Sequence, residues 1–155
     1  MEVPSDQVNS EHTALPTCKF CQIIRNKETL KIDGPDVVGF ADSGPLAKQH
    51  FLLCSKGHIK NVDHLNKKHL PILRKMESEA YKLLRANEPK QPVIVVDKEE
   101  KTTYKYALVF HRSFATSVDH LHLHAMELPF KSSWAWVKNT YFSTSLAEVI
   151  ARLEA

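Results

Sequence analysis

The sequence predicts a single α+β domain: an antiparallel sheet of about five strands with a main amphipathic helix and a C-terminal helix. The chain has 155 residues, the usual size of one domain, and 43% of them are hydrophobic and 25% charged, as in ordinary globular proteins. Short apolar runs bounded by turn residues are typical of strands. Two longer stretches repeat apolar residues every three or four positions, which is typical of helices.

The N-terminal part of the chain contains a tail, a short helix and two strands. Residues 1–16 mix polar residues with two prolines, and we expect them to be disordered. Thr17 is a suitable N-cap for a helix over 18–25. The apolar runs 37–41 and 51–54 predict two strands, separated by a Ser-Gly-Pro loop and expected to be neighbours in the sheet.

The middle of the chain contains the main helix and a predicted hairpin. From 66 to 86, apolar residues recur every three or four positions on a surface rich in Lys, Arg and Glu, which predicts an amphipathic helix. Pro71 fits only the first turn of this helix, and Pro89 cannot continue it. The runs 93–97 and 104–110 flank a charged turn and predict two strands paired as a hairpin.

The last third of the chain contains one more strand and the C-terminal helix. A strand is predicted over 118–127, ended by Pro129. The tail 145–153 returns to helical spacing. Ser145, with Glu148 three residues later, matches a capping box, which satisfies amides at a helix start.

Composition and charge restrict the cellular locations and partners expected for the protein. Its formal net charge is +3 with the nine histidines neutral, an excess that does not imply strong binding to duplex nucleic acid. No apolar run approaches the roughly 18 residues of a membrane helix, and the N-terminus has no hydrophobic segment typical of a signal peptide. We therefore expect a cytoplasmic or nuclear protein without a membrane partner. Its three cysteines are then expected as thiols or metal ligands.

Three histidines alternate with aliphatic residues near the end of the chain. On a strand, alternate side chains lie about 7 Å apart on one face. His120, His122 and His124 would then form a row, while Leu121 and Leu123 point into the core. Such a row has three interpretations: a solvated polar face, a histidine zinc site, or an imidazole nucleophile that its neighbours orient on a phosphate. We favour the third.

The histidine row resembles the motif of the histidine triad (HIT) family of nucleotide hydrolases and transferases, His-x-His-x-His followed by apolar residues. CKFCQII resembles the N-terminal segment of that family, and FADSGPLAKQHFLLCSKGHI resembles its ribose and phosphate loops. SVDHLHLHAMELPF, the following tryptophans and TSLAEVIARL resemble the nucleotide-binding (HINT-like) branch with a C-terminal extension, and more distantly aprataxin-like proteins. The resemblance implies a single HIT domain over 17–155 and a homodimer whose subunits join their sheets.

The resemblance also implies roles for four histidines. His122 would attack the α-phosphorus and form a covalent nucleotidyl-imidazole, which water cleaves to release AMP. His120 and His124 would orient this nucleophile, contact phosphate oxygens and assist the leaving group. His50 matches a fourth family position beside the triad. An imidazole nucleophile of this kind requires no cofactor.

Four further residues are candidates for nucleotide binding. Ser117 matches a phosphate-contacting serine, and Asp42 matches the acidic residue that bonds the ribose hydroxyls, although an Asp before Ser-Gly-Pro is also typical of a turn. Where many relatives have an Asn and a Gly-rich loop, this chain has His111 and Arg112. Both are candidates for phosphate contacts, and Arg112 is equally interpreted as a solvated loop charge.

The cysteine pair Cys18-x-x-Cys21 has the spacing of zinc ligands. The resemblance implies His58 and His120 as the remaining ligands of a possible structural zinc, which would tether the N-terminal helix to the sheet. The alternative is two reduced thiols packed in a small core. The aromatic residues of 134–142 form either a lid or base-stacking surface, or packing for the C-terminal helix or a dimer.

The predicted substrate is a purine nucleotide in which AMP is joined through its phosphate to a leaving group such as an amine or sulfate. One alternative is an aprataxin-like hydrolase of 5′-adenylated DNA, which we favour less because no Cys/His zinc-finger segment follows. We accordingly do not expect a nucleic-acid partner. Another alternative is a nucleotide-binding scaffold protein without essential turnover.

Overall fold

The computed structural model describes residues 15–27, 29–86 and 106–155, together with the backbone of the pairs Val95–Val96 and Thr102–Thr103. These residues form eight strands and four α-helices. The strands are β1 Leu30–Asp33, β2 Val37–Ala41, β3 His50–Ser55, β4 Val95–Val96, β5 Thr102–Thr103, β6 Tyr106–His111, β7 His122–Glu127 and β8 Ser143–Ser145. The α-helices are α1 Lys19–Asn26, α2 Leu70–Arg85, α3 Ser133–Thr140 and α4 Leu146–Glu154.

Within the described residues, six strands form one antiparallel sheet in the order β1-β2-β3-β7-β6-β8. This confirms the predicted α+β class, with one more strand in the main sheet than expected. β2 and β3 are neighbours, as predicted. The histidine strand β7 lies inside the sheet between β3 and β6, with Leu52 of β3 opposite His124. His122 and His124 therefore lie on a strand that is held on both sides.

One face of the sheet carries the main hydrophobic core. The helix α2 follows the predicted three- and four-residue spacing and buries its apolar stripe against the sheet, and α4 adds a second stripe. The members of this core include Leu53, Leu73, Met76, Ala80, Leu84, Phe110, Leu123, Leu146 and Val149. Complete burial of one such large side chain stabilises the fold by about 1.5–3 kcal/mol. His122 and His124 lie on the opposite face of the sheet.

The start of two helices differs from the prediction in a way that matters for the site. Cys18, not Thr17, is the N-cap of α1, and its Sγ accepts a hydrogen bond from the Cys21 amide at 3.3 Å. In the main helix, Asn66 caps a short 3-10 turn, and the α-helix itself begins at Leu70, so that Pro71 occupies its first turn. A thiol at the N-cap brings the two cysteines of the CxxC pair together.

The predicted hairpin is wrong in its pairing. Val95–Val96 pairs with Thr102–Thr103 in a separate two-stranded sheet, while Tyr106–His111 joins the main sheet between β7 and β8. The apolar strand β6 is better buried in the main sheet than in a two-stranded ribbon, which is marginal by itself. The remaining residues of the predicted hairpin, 93–94, 97 and 104–105, lie outside the described residues.

The ends of the predicted elements also shift. The histidine strand begins at His122 and not near 118, because the Leu121 amide donates to the carbonyl of Ile59 in a loop before the strand ladder begins. Of the predicted tail, 1–14 lie outside the described residues, whereas Leu15 donates its amide to Cys21 Sγ. In the described ranges, none of the helices has the length and apolar character to cross a membrane.

Candidate active site

The residues around β7 point alternately to the two faces of the sheet. Leu121, Leu123 and Ala125 belong to the main core. His122 and His124 lie on the opposite face, with ring centroids 4.9 Å apart. All three triad histidines are at least nine-tenths buried. The alternation predicted from the sequence is therefore present at His122 and His124, whereas His120 precedes the strand and its ring lies against the cysteine pair.

The hydrogen bonding of His122 fixes which of its nitrogens is free. Its Nδ1 lies 2.6 Å from the main-chain oxygen of His120, which can only accept, so Nδ1 carries the proton. The pKa of His122 is lowered to about 4, mainly by burial and in smaller part by the neighbouring His111 and His50. The ring is therefore neutral at pH 7, and its Nε2 holds an unshared electron pair. This is the form of imidazole that attacks an electrophile.

A second chain of hydrogen bonds fixes the proton on His124. The main-chain N–H of Leu46 donates to His50 Nδ1 at 3.0 Å, so a neutral His50 carries its proton on Nε2. His50 Nε2 lies 2.8 Å from His124 Nδ1 and donates to it. A neutral His124 then carries its own proton on Nε2. Burial lowers the pKa of His50 to about 4 and that of His124 well below its usual value, so both rings are neutral at pH 7.

The Nε2 of His124 is buried and has no hydrogen-bond partner among the described residues. A buried N–H without an acceptor costs about 1–3 kcal/mol. Such a group at the edge of a cavity is satisfied when a ligand supplies the acceptor. The unpartnered N–H of His124 therefore lies on the same face of the strand as the neutral ring of His122.

Asp42 makes the predicted turn interaction and also lines a cavity. Its Oδ1 accepts from the amide of Gly44 at 2.7 Å, which is a turn interaction. Its Oδ2 lies 3.5 Å from His50 Nε2, and the side chain lines a cavity together with His122 and His124. The carboxylate thus shapes the turn and remains available to a ligand.

A cavity of about 370 Å³ joins these groups. Its lining includes Asp42, Ser117, His122 and His124, so four of the predicted site residues meet there. Lys19 and the apolar ring of Phe20, from α1, also line it, and the sequence analysis did not assign them to the site. The volume is within the range of small-ligand sites, about 300–1,000 Å³.

His111 and Arg112 lie in different environments. His111 is buried, its ring stacks on that of His124 with centroids 3.7 Å apart, and its Nε2 lies 2.9 Å from Asn139 Oδ1. The side chain of Arg112 is exposed, and Arg112 is not among the described residues that line the cavity. Its main-chain amide donates to the Phe142 carbonyl. Asn139 is a residue that the sequence analysis missed, because its contact with His111 spans 28 positions.

The cysteine pair meets two histidines in a compact cluster. One possible ligand atom from each of Cys18, Cys21, His58 and His120 lies within 4.8 Å of every other. The Sγ to Nδ1 distances are 3.3 Å from Cys18 to His120, 3.4 Å from Cys21 to His120 and 3.6 Å from Cys21 to His58. The four residues that the resemblance implied are thus brought together from three separate segments.

The geometry of this cluster fits a tetrahedral zinc ion. Zn–S and Zn–N bonds of about 2.3 and 2.0–2.1 Å at tetrahedral angles separate sulfur from nitrogen by about 3.5 Å, close to the observed distances. His120 Nε2 lies 2.8 Å from the Ser55 carbonyl and donates to it, which leaves Nδ1 unprotonated toward the sulfurs. Burial raises the pKa of the Cys21 thiol, so a bound cation is what would hold it as a thiolate.

The chain is similar to known proteins in both sequence and fold. The family described as "Scavenger mRNA decapping enzyme C-term binding" matches residues 17–140. A solved structure described as a HIT family hydrolase from Clostridium thermocellum superposes with a TM-score of 0.59 at 27% identity, covering 76% of this chain and 96% of that one. The chain therefore belongs to the histidine triad family.

Two curated relatives have names that state an activity on adenosine nucleotides. One is the bifunctional adenosine 5′-phosphosulfate phosphorylase/adenylylsulfatase HINT4 of Arabidopsis thaliana, 32% identical over 125 residues that cover 78% of this chain and 77% of the relative. The other is the adenosine 5′-monophosphoramidase HINT3 of Mus musculus, 25% identical over 144 residues that cover 88% and 81%. An aprataxin ortholog, Hnt3, solved in complex with DNA, shares the fold with a TM-score of 0.58 at 20% identity, covering 86% of this chain and 72% of that one.

Proposed function

We propose that the protein is a nucleotide hydrolase that cleaves AMP from substrates in which the α-phosphate carries an amine, a sulfate or a related leaving group. The observation that carries the proposal is the free Nε2 of His122, on a neutral ring that lines a cavity together with Asp42, Ser117 and His124. The names of the two curated relatives support this substrate class, since one acts on a phosphosulfate and the other on a phosphoramidate.

The cavity lining suits the parts of a ribonucleotide. The rings of Phe20 and Phe40 provide an apolar wall against which a purine packs. The carboxylate of Asp42 accepts hydrogen bonds from the ribose hydroxyls, which favours ribonucleotides over deoxyribonucleotides. The phosphate then lies beside Ser117 and the histidines, where hydroxyl and N–H donors meet its negative charge.

The first chemical step is an adenylyl transfer to the protein. The electron pair on His122 Nε2 forms a bond to the α-phosphorus, and the bond from phosphorus to the leaving group breaks with its electron pair on the leaving group. The imidazole, now bonded at Nε2 and still protonated at Nδ1, becomes cationic. Its hydrogen bond to the His120 carbonyl thereby becomes charge-assisted and stabilises the intermediate.

His124 serves the leaving group in this step. Its Nε2–H donates a hydrogen bond to the atom that departs, which matters most for a basic leaving group such as an amine. Complete transfer of a proton requires a second proton on the His50–His124 pair, and the carboxylate of Asp42, 3.5 Å from His50 Nε2, favours that charged form. Sulfate is a weak base and departs without a proton.

The second step restores the protein. Water attacks the phosphorus, the bond to His122 Nε2 breaks, and the electron pair returns to the ring. The water loses a proton to solvent through the histidine cluster, and AMP is the product. Two displacements at one imidazole replace a single direct attack by water.

We further propose that Cys18, Cys21, His58 and His120 bind a structural zinc ion. The ion would supply no reactive group and would tie α1 to the start of the triad strand. This matters for the nucleophile, because His120 provides both an imidazole to the cluster and the main-chain carbonyl that orients His122. The distances in the cluster and the tautomer of His120 support this assignment.

Mass spectrometry of the protein, quenched during turnover, tests the intermediate. With adenosine 5′-phosphosulfate or an AMP-amine phosphoramidate, we expect an adduct of adenylyl mass on His122. The variant His122→Asn should bind substrate, form no adduct and lose turnover. Turnover by the wild-type protein with no adduct during single-turnover sampling would reject the two-step route.

Turnover measured at several salt concentrations distinguishes the proposed small substrates from adenylated DNA. Turnover of a small adenylyl substrate should change little with salt, whereas an enzyme that binds a DNA backbone loses affinity steeply as salt rises. Turnover confined to 5′-adenylated DNA would reject our proposal in favour of the aprataxin-like alternative. An intact cellular role for His122→Asn would favour the scaffold alternative.

A further inference from the structure

Asn139 of α3 is buried and its amide has a defined orientation. Its Nδ2 donates to the carbonyl of Ala135, one turn earlier in the helix, at 2.8 Å. Its Oδ1 therefore faces away from the helix backbone, toward His111 Nε2 at 2.9 Å. An amide oxygen only accepts, so His111 carries its proton on Nε2. Burial lowers the pKa of His111, and the ring is neutral.

His111 in turn is packed on His124. The two rings are nearly parallel, with centroids 3.7 Å apart and an interplanar angle of 27°. His124 is thus held by His50 through a hydrogen bond at Nδ1 and by His111 through its face. Both contacts restrict rotation of the ring that carries the unpartnered Nε2–H.

We propose that Asn139 and His111 act as a positioning pair that fixes the ring of His124, so that its Nε2–H is aimed at the departing atom of the substrate. The inference rests on the proposed function and assigns a role to a residue of α3. The helix is thereby joined to the reacting groups by one hydrogen bond and one ring stack. Neither residue needs to touch the nucleotide for this role.

The effect of Asn139 and His111 on turnover should depend on how basic the leaving group of the substrate is. A basic amine depends on the donor at His124, whereas sulfate departs without it. A donor displaced by about 1 Å loses about 100-fold in rate. We therefore expect Asn139→Leu and His111→Ala to lower kcat for an AMP-amine phosphoramidate about 30- to 100-fold and kcat for adenosine 5′-phosphosulfate less than about fivefold. The dissociation constant of AMP should stay within about twofold.

Two further variants test whether the effect passes through the ring stack. His111→Phe keeps a flat ring against His124, and we expect it to retain at least tenfold more phosphoramidate turnover than His111→Ala. The double variant His111→Ala/Asn139→Leu should lose no more than His111→Ala alone, because Asn139 acts through His111. Thr140→Val, on the same helix and with its hydroxyl bonded only to helix carbonyls among the described residues, is the control and should keep both activities.

Equal loss on both substrates in Asn139→Leu would overturn the inference and show a general structural role. Losses that multiply in the double variant would also overturn it. Histidine ring NMR provides a readout that needs no turnover: the wild-type protein should show His111 as the Nε2–H form, and Asn139→Leu should change the ring signals of both His111 and His124. Unchanged His124 signals would reject the positioning role, even if the proposed hydrolase activity failed.

Discussion

Mild acid is expected to destabilise the folded protein, because several buried histidines are held neutral. Burial lowers the pKa of His50 and His122 from 6.5 to about 4 in the folded state. As pH falls below 6.5, the unfolded chain binds protons that the folded state does not, so the free energy of unfolding falls. This loss begins near pH 6.5 and is complete only below pH 4.

The magnitude follows from these two pKa values. At pH 7, keeping each of these histidines neutral in the folded state lowers the free energy of unfolding by about 0.2 kcal/mol. At pH 5 the same loss is about 2 kcal/mol. The two together lower the free energy of unfolding by about 4 kcal/mol between pH 7 and pH 5. With a urea dependence of about 2 kcal/mol per molar, the unfolding midpoint should move down by at least about 2 M, because the other buried histidines act in the same direction.

Urea unfolding at pH 7 and pH 5, followed by far-ultraviolet circular dichroism, measures this loss. The variant His122→Asn removes one of these groups, so its loss of unfolding free energy should be smaller by about 2 kcal/mol. The exposed His64 is a matched control, and His64→Gln should keep the wild-type loss. Equal losses for wild type and His122→Asn would refute the assignment of His122 as a buried neutral imidazole.

The remaining predictions concern the metal cluster, the ribose contact and the core. Cys21→Ser should abolish stoichiometric zinc in metal analysis, whereas Cys54→Ser, at a buried thiol outside the cluster, should retain it. Asp42→Asn should weaken discrimination between ribo- and 2′-deoxy-substrates about tenfold in kcat/KM, because a charge-assisted hydrogen bond is lost. Leu123→Ala should lower the free energy of unfolding by about 2–5 kcal/mol in urea titration, and an unchanged midpoint would contradict its place in the core.

The parts of the fold that follow from local patterns were predictable. The repeat of apolar residues predicts α2, and the Ser145–Glu148 capping box predicts α4, where the Glu148 amide donates to Ser145 Oγ at 3.1 Å. The alternation of imidazoles with aliphatic residues predicts the two faces of β7. Each of these patterns is carried by residues within a few positions of one another.

The parts that depend on distant partners were not predictable in this way. β8 consists of three small polar residues without alternation, and it forms because β6 offers a free edge. The pairing of β6 with β7 depends on the burial available in the whole sheet. The cluster of Cys18 with His58 and His120 was implied by family resemblance, since the CxxC spacing alone leaves its partners open. Asn139 shows no pattern that points to His111.

The outermost strands of the sheet limit how two copies of the protein associate. Adding a strand requires unpaired main-chain groups along an edge. β8 offers only Ser143–Ser145 before the chain turns into α4, and β1 at the far side offers only Leu30–Asp33. A joint between two sheets through β8 or β1 would therefore include only a few main-chain hydrogen bonds, and the homodimer implied by resemblance stays a prediction.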